Sequence, residues 1–411
     1  MAPAPDYPAS SLRSITRQQW LTLFGAQAGY MLDAMDVLLF VFAINVIREQ
    51  FHLSATQAGL VSSFTLAFSA IGGIGFGILS DRMGRAKSLI WSILIYSIAS
   101  AGTAFSWNLA SLLFWRAMVG IGLGAEWSAG AVLVAETWPA EHRAKAVGIM
   151  QSGWALGYLL AAGITAVVLP RWGWKALFLT GLFPAFLALA LRNNIEEPTI
   201  WKEQKLQPRV GIRGIFSGLL LRRTVLASML ATSVLFAYWG LFTWVPGFLS
   251  ASPAKGGAGL SIVKTSAFVV PMQMGAFAGY VAFGWLADRI GRRPAFVLYV
   301  LGAAIATPLY GASHDERTLL LLGPVIGFLG TGFFSLFGAM LAELYPTALR
   351  GAGLGFVYNI GRGMSSMAPW VVGFFADRYG IGASLALNSA FFLLGAALIF
   401  TLPETKKAEL T

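Results

Sequence analysis

Five charged side chains sit inside apolar runs of this sequence. Asp33 and Asp36 fall in GYMLDAMDVLLF (29–40), Arg116 and Glu126 in RAMVGIGLGAEW (116–127), and Arg362 in YNIGRG (358–363). A charge in such a run costs several kcal/mol in hydrocarbon unless it faces a wet cavity or a partner. Asp33 and Asp36 are three residues apart, so on a helix they point to roughly one side. Two like carboxylates that close and away from water can hold a proton between them and release it again. Arg362 carries a planar, permanent charge suited to a carboxylate. Tyr358, four residues earlier, and Asn359, three earlier, add a hydroxyl and an amide near the same face. The chemistry on offer is proton exchange and anion binding. For each charge a structural role remains open, as a static ion pair, a helix cap or a contact to backbone carbonyls. Glu126 divides between a structural hydrogen bond and a second protonation site.

Gln151, Trp154, Tyr158, Tyr238, Trp239 and Gln273 fall at similar depth and could complete a binding site, although aromatic residues in such helices also simply pack. The chain has no cysteine. Disulfides, thiol catalysis and cysteine metal sites are therefore excluded. His52, His142 and His314 all fall in predicted loops, which removes a buried histidine relay. No metal-ligand spacing occurs, so neither a metal nor another cofactor is expected, and an intramembrane enzyme is disfavoured.

The elements that must carry these residues are set by composition. The 411 residues are 57% hydrophobic and only 11% charged, where a soluble chain is about one quarter charged. Apolar runs near the ~20 residues needed to cross hydrocarbon recur throughout. An all-α membrane protein with twelve transmembrane helices in two six-helix repeats is expected. Spans are predicted at 20–47, 56–80, 88–106, 110–135, 145–168 and 174–193, then at 223–249, 262–287, 294–311, 317–342, 351–376 and 381–402. This gives an N-terminal bundle at 20–193, a polar linker at 194–222, a C-terminal bundle at 223–402, and tails at 1–19 and 403–411. The first run is too long, and too acidic at its centre, for a signal peptide. The net charge of +11 reflects topology rather than nucleic acid. With both termini inside, Arg48, Arg171, Lys175, Lys255, Lys264, Arg317 and Arg378 are the only basic residues outside. That bias orients the chain in a bacterial-type cytoplasmic membrane.

The halves repeat. Gly77, Leu79, Asp81, Arg82, Gly84 and Arg85 recur as Gly284, Leu286, Asp288, Arg289, Gly291 and Arg292, and Glu136, Pro139 and Arg143 recur as Glu343, Pro346 and Arg350. Both sets share an offset of 207 residues, which marks an internal duplication. Two parallel six-helix repeats, with a D-R-x-G-R loop after the second span of each, resemble the major facilitator superfamily. By that resemblance the loop acidic and basic residues just named form a cytoplasmic gate that latches the halves, and the functional unit is a monomer.

The offset also separates scaffold from chemistry. Asp33 and Asp36 correspond to Gly240 and Thr243, Arg116 to Gly323, Glu126 to Phe333, and Arg362 to Ala155. No intramembrane charge is mirrored. LDAMD, RAMVGIGLGAEW and LRGAGLGFVYNIG further resemble the sialate:proton symporter family of sialic acid and lactate carriers, with nicotinate and aromatic-acid symporters as cousins. Related sugar carriers pair an acid of span 1 with an arginine of span 4. The resemblance thus implies Asp36 as proton carrier, tuned by Arg116, and a small organic anion on Arg362. The short linker and Arg362 itself depart from the sialic acid carriers and favour a smaller monocarboxylate. A proton-coupled sugar or neutral-metabolite symporter with a structural Arg362, and a transporter-like solute receptor, are the alternatives.

Overall fold

The computed structural model describes residues 15–83, 85–138, 140–186, 212–345 and 347–405. Most of the predicted linker and tails lie outside them. Helices dominate because hydrocarbon offers backbone amides no other partner. Span 1 is the helix Arg17–Gln50, span 2 Ala55–Met83, span 3 Arg85–Thr103 and span 4 Leu109–Thr137. Span 7 is Gly218–Ser250, span 8 Ile262–Ile290 and span 9 Arg292–Gly311. Most of these outrun the predicted spans by a few residues at their ends.

Spans 5 and 6 depart from expectation. They run through Ala140–Leu179 with no loop between them, broken at Gly173, whose φ of 78° is open to glycine. Spans 10, 11 and 12 are each interrupted. Span 10 is Glu316–Gly332 and Phe334–Leu344, span 11 Thr347–Ser365 and Ala368–Tyr379, and span 12 Ile381–Leu385 and Leu387–Leu398. Among the described residues, eight helices are long and apolar enough to cross a membrane, one of them holding spans 5 and 6. Spans 3 and 4 supply shorter apolar stretches.

Helix ends are tied by local chemistry. Thr16 and Gln19 form a reciprocal capping box at the start of span 1. The Gln19 amide also donates to the Thr137 carbonyl at the end of span 4 (2.8 Å). At the start of span 9, the Glu404 carboxylate accepts from the Arg292 and Arg293 amides (both 3.0 Å).

The duplication is written into the packing. A Cβ on Gly120 of span 4 would strike the Thr65 carbonyl of span 2, and one on Gly72 would strike the Ile121 carbonyl. In the second half, a Cβ on Gly327 of span 10 would strike the Met272 carbonyl, and one on Gly279 of span 8 the Phe328 carbonyl. Each residue of the second set lies 207 positions after its counterpart. Small residues let these backbones touch, which is how helices associate where water offers no drive. Each half is consequently a tightly keyed bundle. Gly120→Ala and Gly327→Ala should each cost about 1–3 kcal/mol through overpacking. Thermal unfolding in detergent checks this, with Gly148→Ala as control: nothing lies within 4 Å of its Cβ position, so its melting temperature should not fall.

Candidate functional site

Between the two bundles lies a small central cavity. Tyr30 of span 1, Gln151 and Trp154 of span 5, and Leu235, Tyr238 and Trp239 of span 7 form much of its wall. Tyr280 of span 8, Phe334 of span 10, and Tyr358 and Arg362 of span 11 complete it. The free space at its centre is only about 20 Å³, room for about one water rather than an organic solute. The chain is therefore closed around its centre.

Arg362 is 4% exposed, and its Nε has no hydrogen-bond partner. An acid within its electrostatic range comes from the other half. Asp33, 1% exposed, lies within electrostatic range of Arg362, and Tyr30 and Tyr358 share that field. Asp36 lies within range of a different arginine, Arg116, in its own bundle. Arg116 is 1% exposed, with its guanidinium 5.1 Å from the Phe40 ring centroid and 6.0 Å from that of Phe178. Ser100 faces Asp36 across Gly181, where any Cβ would press on both side chains. This explains the glycine within span 6, at the centre of the 3₁₀ turn Thr180–Leu182.

The four carboxylate oxygens of Asp33 and Asp36 have no hydrogen-bond partner. By contrast, the exposed Lys264 and Glu316 form a direct salt bridge at 2.7 Å. Two acids and two arginines thus stand buried, paired by field but not by contact. A buried charge left without hydrogen bonds is expensive.

The structure sorts the remaining sequence candidates. Trp154 Nε1 donates to the Tyr238 hydroxyl at 2.6 Å, joining spans 5 and 7 across the halves at the cavity wall. The Trp239 Nε1 is buried without a partner, a free donor beside the same cavity. Tyr158 is outside the lining, and its hydroxyl donates to the Phe242 carbonyl at 3.2 Å. Asn359 also lies outside it: its amide donates to the Gly355 carbonyl at 3.0 Å and its Oδ1 sits against Gly73 of span 2. Gln273 is buried away from the cavity. Tyr30 and Tyr280 were not among the sequence candidates. Tyr30 stands three residues before Asp33, and Tyr280 seven after Gln273, so helical spacing from chosen residues would have found both.

Of the gate residues, Arg289 is exposed beside Trp285, 3.6 Å from its ring centroid, and Arg292 begins span 9. The side chains of Asp81, Arg82, Arg85, Glu126, Glu136, Arg143, Asp288, Glu343 and Arg350 lie outside the described residues. The opposite end is sealed by contacts between halves. Asn45 Nδ2 donates to the Gly247 carbonyl (3.0 Å) and Ser250 Oγ (2.8 Å). The Asp377 carboxylate accepts from the Ala55 and Thr56 amides (both 2.9 Å) and from the Thr56 hydroxyl (2.5 Å), capping span 2 from span 11.

Two keyed bundles of membrane-crossing helices around one closed, charged cavity define a solute transporter, not an enzyme. The sequence profile of the Major Facilitator Superfamily matches residues 28–278 and 257–411, and the chain belongs to that superfamily. It is 36% identical over 400 residues to a putative metabolite transport protein of Haemophilus influenzae, covering 94% of this chain and 97% of that one. It is 32% identical over 401 residues to a probable 4-methylmuconolactone transporter of Cupriavidus pinatubonensis, covering 95% and 91%. Its fold is that of a D-xylose–proton symporter, with a TM-score of 0.76, 20% identity, and coverage of 95% and 99%.

The Asp36–Arg116 pair gives a direct test. Removing one partner of a buried pair costs about 3–5 kcal/mol, whereas removing both charges costs less. Asp36→Asn and Arg116→Gln should each lower the melting temperature in detergent, and the double variant should recover a large part of the loss. Additive losses would show that the two side chains do not share a field.

Proposed function

We propose that this chain imports a small organic anion together with a proton by alternating access. The observation that carries the reading is Arg362 in the wall of the central cavity, with Asp33 of the opposite half as its electrostatic partner. One guanidinium serves one carboxylate well in a bidentate grip. While Asp33 is ionised it competes for Arg362; once protonated, it releases Arg362 to a substrate carboxylate. The proton and the anion then load together, and the loaded cavity carries nearly the charge of the empty one. Tyr358 and the free Trp239 indole add hydrogen bonds, and the Tyr30, Trp154 and Tyr280 rings offer flat apolar walls to a small acid. Asp36 and Arg116 serve as a second protonation site inside the N-terminal bundle. The chain works as a monomer in a bacterial-type cytoplasmic membrane with both termini inside, so the end sealed by Asn45 and Asp377 faces outward. The two bundles, 20–193 and 223–402, rock about the cavity. The D-R-x-G-R loops, with Glu136, Arg143, Glu343 and Arg350, latch them on the cytoplasmic side.

Uptake into proteoliposomes of labelled benzoate, nicotinate and cis,cis-muconate, with xylose as neutral control, tests the reading. One-to-one cotransport should raise accumulation about tenfold per unit of inward pH gradient, since each unit is worth about 1.4 kcal/mol. Arg362→Gln should cut acid uptake at least about tenfold. Asp33→Asn should keep counterflow and lose gradient-driven accumulation. Acid accumulation that ignores the gradient overturns proton coupling, and xylose uptake untouched by Arg362→Gln overturns the anion reading. Loss of accumulation in Asp36→Asn alone transfers the coupling role to Asp36.

A further inference from the structure

A second and much larger space, about 600 Å³, opens at the sealed end of the bundles. Its walls come from the end of span 1 and from the loop joining spans 7 and 8, and they bring together Arg48, His52 and Lys255 against a single acid, Glu49. The loop wall is firmly built. The amides of Gly257, Ala258, Gly259 and Leu260 donate to the carbonyls of Ser252, Phe248, Ala251 and Leu249 at 2.8–3.1 Å, and Pro253–Lys255 forms a 3₁₀ turn.

Two details set this space apart from ordinary surface. His52 has a φ of 53°, the only positive φ at a non-glycine among the described residues. It closes span 1 in the left-handed conformation where glycine would fit at lower cost, and the turn brings its side chain to the wall of this space. Arg48, moreover, keeps a buried Nε without a partner, while its Nη1 reaches only the Asn45 amide oxygen at 3.5 Å. That amide is the one sealing the halves through Gly247 and Ser250. Arg48 also lies in the field of Asp377, which caps span 2 across the same seam.

We propose that this vestibule is a second carboxylate site, in which Arg48, aided by His52 and Lys255, captures a small organic anion beside the closed seam before it passes to Arg362. A bound carboxylate would take up the Arg48 fork and draw it from Asn45 and Asp377, weakening the seal where the substrate must enter. The proposal rests on the reading of the chain as an organic-anion importer with this end outward.

The absence of cysteine allows a clean test on Ser252→Cys, whose side chain lines the vestibule. Its rate of modification is measured in intact cells and in purified protein with an anionic thiosulfonate (ethylsulfonate) and a cationic one (ethyltrimethylammonium). Arg48→Gln and Lys255→Gln should each lower the anionic-to-cationic rate ratio about fivefold, as expected when a focusing charge is removed. The Lys255 variant, on an exposed turn, guards against misfolding in the Arg48 variant. Added cis,cis-muconate should slow modification saturably, should still do so when Arg362→Gln is present, and should fail to do so with Arg48→Gln. Unchanged rate ratios, or protection that disappears with Arg362→Gln but survives Arg48→Gln, overturn the vestibule site. Modification confined to inside-out vesicles overturns the outward orientation but not the site, and failed transport with intact protection overturns the importer reading alone.

Discussion

Four charges buried away from water, held apart and yet in pairs, are the constraint from which the rest follows. Asp36 and Arg116 belong to one bundle, whereas Asp33 and Arg362 lie within electrostatic range of each other from different bundles. A rigid movement of one bundle against the other leaves the first pair unchanged and alters the second. On the proposed function, the second is therefore the pair through which protonation would act on the relative position of the halves. In a low-dielectric interior that field is strong, so protonation of Asp33 would change the energy of the interface directly.

Such a mechanism requires bundles that move as bodies. The glycine-to-carbonyl contacts of spans 2 and 4, and of spans 8 and 10, provide them, because backbones keyed at van der Waals distance have no room to slide. The interface between halves is built differently. Apart from Gly59 and Gly373, which bring spans 2 and 11 together at the sealed end, the contacts described across it include individual side-chain hydrogen bonds. Asn45, Asp377, Trp154, Tyr158 and the Ser63 hydroxyl, which accepts from the Trp370 amide, each join the two halves. Such bonds are worth about 1 kcal/mol each net, and they can exchange with water as a pathway opens.

The twelve spans, the duplication and the intramembrane charges were legible in the sequence because the bilayer penalises exceptions so heavily. Asp33, Asp36, Arg116 and Arg362 stand out against an apolar background for that reason, and all four are buried. What the sequence could not show was which acid meets which arginine. Hydropathy reports depth, and three-residue spacing places Asp33 and Asp36 on one side of span 1, but a difference of some tens of degrees decides which bundle each sees. Tyr158, Asn359 and Gln273 were chosen as binding candidates by depth, and all three stand outside the lining of the central cavity because depth does not give direction. Tyr30 and Tyr280 carry no charge against the apolar background, so depth alone did not single them out, although helical spacing from Asp33 and Gln273 reaches both.

The comparison of halves also shows what takes the place of charge where none is needed. Gly240 corresponds to Asp33, and a Cβ there would collide with the side-chain oxygen of Asn388 on span 12. Asn388 is fully buried and donates to the Leu385 carbonyl at 2.9 Å. In the second half, then, the space available to the Asp33 position is filled by a neutral amide from a neighbouring helix, and the bundle packs without an acid. Removing a carboxylate from this fold is structurally possible, and the duplicated scaffold has a working solution for it. Span 1 carries two instead, at the cost of four unsatisfied oxygens. Of the two, Asp33 lies in the field of Arg362 from the other half, whereas Asp36 is tied to Arg116 within its own bundle.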